Sequence, residues 1–161
     1  CGAHVDAPLH YAKDGASVEQ LPLDDFIGPV RVIDARGANP LCELQDIIPS
    51  LDAVPPRLLL RLEDQWDPMV WQDDFRSLSP GLVESLHDRG VRLIGVDVPS
   101  VDSAESKSLH AHQVFLRHDM RILEGLVLSH VPQGNYELIA LPLKLAGLDA
   151  SPVRAILITS D

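Results

Sequence analysis

The chain has 161 residues, 45% of them apolar, enough for one ordinary globular domain that buries about 70% of its unfolded surface. Its formal net charge is −11, from 24 acidic and 13 basic residues, and no Lys/Arg run is long enough to neutralise a row of phosphates. Nucleic acid is therefore excluded as an expected partner. The longest apolar stretches, such as Leu58–Leu60 and the run from Ile139, fall far short of the ~18 residues that span a bilayer, so no transmembrane helix and no membrane partner are expected.

In chain order, the first extended segment is Ala3 to Ala7, because Pro8 pushes its predecessor toward β geometry. A loop follows at Lys13–Ala16, then a Pro-bounded stretch through Phe26. Strand candidates are Val30–Ala35, Leu58–Leu62, Val91–Val96, Ile122–Leu128, Leu138–Leu141 and Val153–Thr159, chosen for β-branched or leucine content. Helices are expected between them at Leu41–Leu51, Pro80–Arg89 and Ser108–His118. The second is the clearest, with Ser79 as N-cap, Pro80 at the first helical position and Gly90 as the stop. The expectation is an α/β single domain over 1–161, with a mixed β-sheet flanked by helices.

Two polar clusters carry the candidate chemistry. In an extended chain alternate side chains share a face, with Cα atoms ~7 Å apart, so His4 and Asp6 point the same way. His10 joins them if the chain stays extended through Pro8. An imidazole and a carboxylate at that spacing can converge on one ion, although a polar strand edge with scattered surface histidines fits the same residues. The second cluster is the stretch from Ser106 to His112, followed by the apolar run Ile122–Leu128, which contains Glu124. A carboxylate in such a run is costly to bury alone, so Glu124 needs a metal, an exposed strand start, or an arginine such as Arg121. Trp66 and Trp71 lie in one Pro-containing loop and either line a pocket or anchor that loop. No Gly-x-Ser-x-Gly elbow occurs, and Cys1 and Cys42 show neither activation nor disulfide or zinc spacing, in keeping with a reducing cytoplasm.

The opening residues Gly2-Ala3-His4-Val5-Asp6-Ala7-Pro8-Leu9-His10 resemble the His-x-Gly-Thr/Ala-His-x-Asp-x-Pro-x-His signature of the metal-dependent cyclase family. Within it the likeness is to the bacterial kynurenine formamidase (arylformamidase) branch, carried further by Pro22–Asp34, Gly95–Asp102, Ile122–Leu128 and Tyr136–Leu157. The resemblance implies a swivelling β/β/α type of fold and a homodimer. It also implies metal-dependent hydrolysis of N-formyl-L-kynurenine to L-kynurenine and formate in tryptophan breakdown. His4 would bind a first metal, Asp6 would bridge two, His112 would bind the second, and Glu124 would bridge or contact both. His10 would be the proton donor and acceptor, beside a metal-activated hydroxide. The metals would be two Zn²⁺, with Mn²⁺ or Fe²⁺ accepting the same ligands.

The signature's first histidine would fall immediately before Cys1, so the chain reads as N-terminally truncated, without a substrate-contacting tryptophan further upstream. Two alternatives accompany this reading: an isatin hydrolase-like cyclic-amide hydrolase using Mn²⁺, and a catalytically inactive metal-binding domain.

Overall fold

The computed structural model describes residues 2–64 and 69–159. An eight-stranded mixed sheet is its frame. Strands β2 (Ile27–Asp34), β4 (Arg57–Arg61), β6 (Leu93–Val96) and β7 (Arg121–Glu124) run parallel at its centre, in that spatial order. Beyond β7 lie β1 (His4–Asp6) and then β9 (Ala150–Pro152), both paired antiparallel. On the other side β8 (Gly134–Ile139) and β10 (Ile156–Ile158) continue the sheet, again antiparallel. A separate two-stranded ribbon joins β3 (Leu41–Cys42) to β5 (Ser77–Leu78).

Both faces of the central strands are buried, which explains why β4 reads as an unbroken Leu58-Leu59-Leu60 rather than an alternation. Leu58 and Leu60 face one core with Ile33, Ile94 and Ile122, and Leu59 faces the other with Val5, Val32, Leu93 and Leu123. The first core is covered by α3 (Pro80–His87) and α4 (His110–Arg117), and the second lies within the curl of the sheet. Each of the three leucines is at most 1% exposed, so truncation to Ala would cost about 2–5 kcal/mol per site. No helix of the described residues is long and apolar enough to cross a membrane.

Several boundaries differ from the sequence expectation for physical reasons. Helix α3 begins as expected, with the Leu82 N–H donating to the Ser79 hydroxyl at 3.1 Å. The stretch Leu41–Leu51 is not one helix. It opens as β3, continues as the four-residue α2 (Leu44–Ile47) behind a Glu43/Asp46 capping box, and tightens to a 3-10 turn around Pro49. Strand β7 stops at Glu124 because Gly125 adopts φ +66°. A Cβ there would also lie 3.0 Å from the Gly2 carbonyl oxygen, so the turn and the close approach both require glycine. The Leu138–Leu141 expectation is shifted to β8, and the last expected strand starts only at Ile156.

Candidate metal centre

Strand β1 is the keel of the site. Antiparallel pairing sets His4 directly opposite Glu124 of β7, and residues so opposed project from the same face. Asp6, two residues on, shares that face, whereas Val5 points into the core and is fully buried. Helix α4 closes the site by lowering His112 from its first turn. Asp6, His112 and Glu124 are each at most 3% exposed, and the His4 side chain is 14% exposed.

The spacing between each histidine Nε2 and the carboxylate oxygens that face it suits coordination of an ion by the same atoms. His4 Nε2 lies 3.5 Å from Asp6 Oδ1 and 3.4 Å from Glu124 Oε2. His112 Nε2 lies 3.5 Å from Asp6 Oδ2 and 3.6 Å from Glu124 Oε1. Donors placed 2.0–2.2 Å from one tetrahedral ion are themselves roughly 3.3–3.6 Å apart. Both Asp6 oxygens and His112 Nε2 are buried without a hydrogen-bond partner among the described residues, an arrangement that is costly unless a cation completes it. The donor set therefore fits a divalent metal, and imidazole with carboxylate suits Zn²⁺, Mn²⁺ or Fe²⁺. The donor atoms of His4, Asp6 and Glu124 all lie within 4.8 Å of one another.

The ligands are held from behind. His4 Nδ1 donates to the Gly2 carbonyl at 2.9 Å, and His112 Nδ1 to Asp102 at 2.7 Å, so in the neutral form of each ring the lone pair lies on Nε2. Glu124 Oε1 accepts the Val101 N–H at 2.8 Å. Asp102 also accepts the backbone N–H groups of Ala111 and His112, both at 3.0 Å. It thus caps α4, whose N-cap residue Leu109 is left-handed at φ +49° and offers no side-chain acceptor.

Charge states follow from this packing. Burial, together with the adjacent Asp6 charge, raises the Glu124 carboxyl above its usual value. Burial opposes protonation of His112, but its bond to Asp102 and the carboxylates of Asp6 and Glu124 win, raising it to about 9. His4 is raised in the same manner, the Glu124 and Asp6 carboxylates outweighing burial. Burial pushes Asp102 upward, but the hydrogen bonds from His112 and the helix amides hold it below the ordinary range.

His10 reaches the site by a route other than the one expected. The chain does not stay extended through Pro8: it turns into α1 (Pro8–Tyr11), with Pro8 at the first helical position. That turn places the His10 ring centroid 6.3 Å from the His112 ring, with Nδ1 3.0 Å from Asp149 Oδ2. Gly15 makes it possible, since any Cβ there would meet the Pro8 carbonyl carbon at 2.4 Å. Glu124 is buried and its neighbour is not Arg121, which instead pairs with Asp25 and Asp119 at the far end of β7. Trp71 is 62% exposed and its Nε1–H donates to Asp73 within the same loop, and Trp66 lies outside the described residues. Cys42 is buried, which pushes its thiol up to about 11.

The sequence model of the cyclase family matches residues 1–103. The chain belongs to the cyclase family. That match covers His4, Asp6, His10 and Asp102 and stops short of His112 and Glu124, whose connection to the site rests on the geometry above. Among solved structures, a potential metal-dependent hydrolase with cyclase activity is 31% identical, aligned over 97% of this chain and 77% of its own, with a TM-score of 0.85. A predicted metal-dependent hydrolase from Bacillus stearothermophilus is 30% identical over 97% of this chain and 75% of its own, with a TM-score of 0.78. An isatin hydrolase bound to the product analogue thioisatinate shares the fold, at 22% identity over 99% and 72% of the two chains and a TM-score of 0.76. The chain thus has the fold of the cyclase family's metal-dependent hydrolases.

Two supporting residues escaped sequence reasoning. Asp102 ended a stretch already singled out, and its signal was an acidic residue poised before a helix that lacks its own polar cap. Asp149 is 139 residues from His10 and left no local signal.

Proposed function

We infer that this chain carries the metal centre of an aryl-formamide hydrolase that converts N-formyl-L-kynurenine to L-kynurenine and formate. The observation that carries the hydrolase reading is the pair of buried carboxylates, each oxygen of which lies 3.4–3.6 Å from a histidine Nε2. His4 with Asp6 Oδ1 and Glu124 Oε2 forms one half of the centre, and His112 with Asp6 Oδ2 and Glu124 Oε1 the other. Such a set would offer two divalent ions one imidazole each, with Asp6 and Glu124 supplying an oxygen to either. The formamide assignment is supported by the motif His4-Val5-Asp6-Ala7-Pro8-Leu9-His10 and the C-terminal stretch Tyr136–Leu157.

Divalent ions at such a site supply Lewis-acid polarisation of a carbonyl and acidify water. The chain's own residues do the rest. Asp6 and Glu124 supply two negative charges against the cations. Asp102 and the Gly2 carbonyl keep the two imidazoles in the tautomer that leaves Nε2 unprotonated. His10, whose side chain is 44% exposed, is open both to the site and to bulk water. It accepts a proton as water adds to the formyl carbon, forming the new C–O bond. It returns that proton to the arylamine nitrogen as the C–N bond breaks, so that formamide and water become amine and formic acid. An aromatic amine leaves poorly as its anion, which is why the proton must be at hand.

A second reading, hydrolysis of a cyclic aryl amide, is favoured by the fold shared with isatin hydrolase. The test is turnover of N-formylkynurenine and of isatin side by side, with zinc and with manganese, before and after chelation. The formamidase reading expects chelator-sensitive release of formate, and elemental analysis should find two ions per chain. Turnover of isatin alone would overturn it in favour of the cyclic amide, and turnover of neither would leave a metal-binding domain.

A further inference from the structure

All three histidines at the site present the same chemical feature. Each has its Nδ1 bound to an oxygen acceptor: the Gly2 carbonyl for His4, Asp102 for His112, and Asp149 for His10, at 2.9, 2.7 and 3.0 Å. An acceptor at Nδ1 retains the ring proton there and leaves the Nε2 lone pair as the reactive position. For His4 and His112 that lone pair would be the metal ligand. For His10 the same device serves proton transfer.

We propose that Asp149 is a positioning residue for His10, holding the ring by Nδ1 so that Nε2 is the nitrogen that exchanges protons at the metal centre. This deepens the proposed hydrolase function and rests on it. The placement is built into the fold. Asp149 immediately precedes β9, whose Ala150 pairs with Asp6 on the opposite edge of β1 from Glu124. Its backbone carbonyl accepts the Ala7 N–H at 2.8 Å, one residue before α1 begins, and the neighbouring Leu148 carbonyl accepts the Val18 N–H at 2.9 Å. Both ends of the turn carrying His10 are thereby tied to the segment carrying Asp149. The two backbones that carry the carboxylate and the imidazole are held side by side. The His10 N–H also holds the Asp149 carboxyl below its usual range, so it stays charged at neutral pH.

The Asp149 side chain is 55% exposed, so the pair adds little to stability and acts on orientation. Transfer through it is balanced: one proton enters at Nε2 from water and the same proton leaves to the amine, while the Nδ1 proton stays in place.

The experiment compares ¹⁵N-histidine-labelled, zinc-loaded wild type with Asp149→Asn and Asp149→Glu, using His10→Ala to assign the ring signals. The expected wild-type pattern is a protonated Nδ1 and an unprotonated Nε2 on neutral His10. Asp149→Asn should shift that population toward Nε2–H. It should also lower kcat for N-formylkynurenine on the order of tenfold, the low end for loss of an orienting partner, with KM and zinc stoichiometry unchanged. Asp149→Glu should restore part of both. The proposal is overturned if Asp149→Asn leaves the His10 nitrogen shifts as in wild type, or leaves kcat unchanged. A wild type that hydrolyses neither formamide nor isatin refutes the substrate reading, and the nitrogen shifts then decide the Asp149–His10 pair by themselves.

Discussion

Replacing Asp102 by Asn separates the two jobs that this carboxylate performs. Its Oδ1 accepts the Ala111 N–H, and its Oδ2 accepts both the His112 N–H and His112 Nδ1–H. An Asn side chain can place its oxygen on only one of those sides. With the oxygen toward His112, the Ala111 N–H faces an NH₂ group and one buried donor goes unmatched, at a cost of about 1–3 kcal/mol. With the oxygen toward Ala111, the NH₂ donates to His112 Nδ1 and forces the ring proton onto Nε2, the atom that binds metal.

The metal-free protein should therefore lose about 1–3 kcal/mol from the helix cap, in addition to the charge-assisted bond to His112. Metal affinity should fall by about 10–100-fold, as for other carboxylates that support a ligating histidine, equivalent to a further ~1.4–2.7 kcal/mol when metal is saturating. Urea unfolding with chelator and with saturating zinc measures both losses, and chelator competition gives the affinity directly. Equal losses in the two conditions would refute the reasoning, because they would make Asp102 a helix cap with no hold on the ligand.

His10→Ala should reduce kcat by about 10²–10⁴ with metal content intact, and full activity would remove His10 from the mechanism. Glu124→Gln should lower metal occupancy by elemental analysis, and unchanged stoichiometry would count against its ligand role. The metal-free protein should lose stability as pH rises. Glu124 is raised in the folded state, and His4 and His112 are raised too, the latter to about 9, so between pH ~5 and 9 the folded form holds more protons than the unfolded one. Thermal melts of chelated protein across that range should show a falling midpoint, and saturating zinc should flatten or reverse the trend because metal binding displaces those protons. A midpoint that rises with pH in the chelated protein would contradict the charge assignment.

How much was legible in the sequence depended on the distance over which each signal acts. His4 and Asp6 could be paired because strand periodicity is two residues, and Glu124 stood out because an acid inside Ile122–Leu128 demands a partner. Those arguments use neighbouring residues alone. His112 was located only through family resemblance, since nothing local separates it from His110, which is exposed on the same helix. His10 shared a face with His4 and Asp6 only on the condition that the chain stay extended through Pro8, but proline equally favours the first position of a helix, and here it starts α1. The strand to Leu128 was drawn too long because leucine content outweighed Gly125, the one residue that could turn the chain.

What lay beyond reach was the set of tertiary pairings around β1. That strand is only three residues long, yet it lies between β7 and β9 and collects Glu124 from one side and Asp149 from the other. Its register is set by packing rather than by ligands: Val5 opposite Leu123 is fully buried, as is Ala7 beyond it. A slip of one residue would turn Val5 toward the buried carboxylate and imidazole groups beneath α4 and drive His4 and Asp6 into an apolar core. The alternation of apolar and polar residues from His4 to Asp6 is therefore the link between fold and chemistry. The same two-residue period that buries Val5 aims both metal-ligand candidates at His112, so the packing of the hydrophobic core sets the direction of the donor atoms.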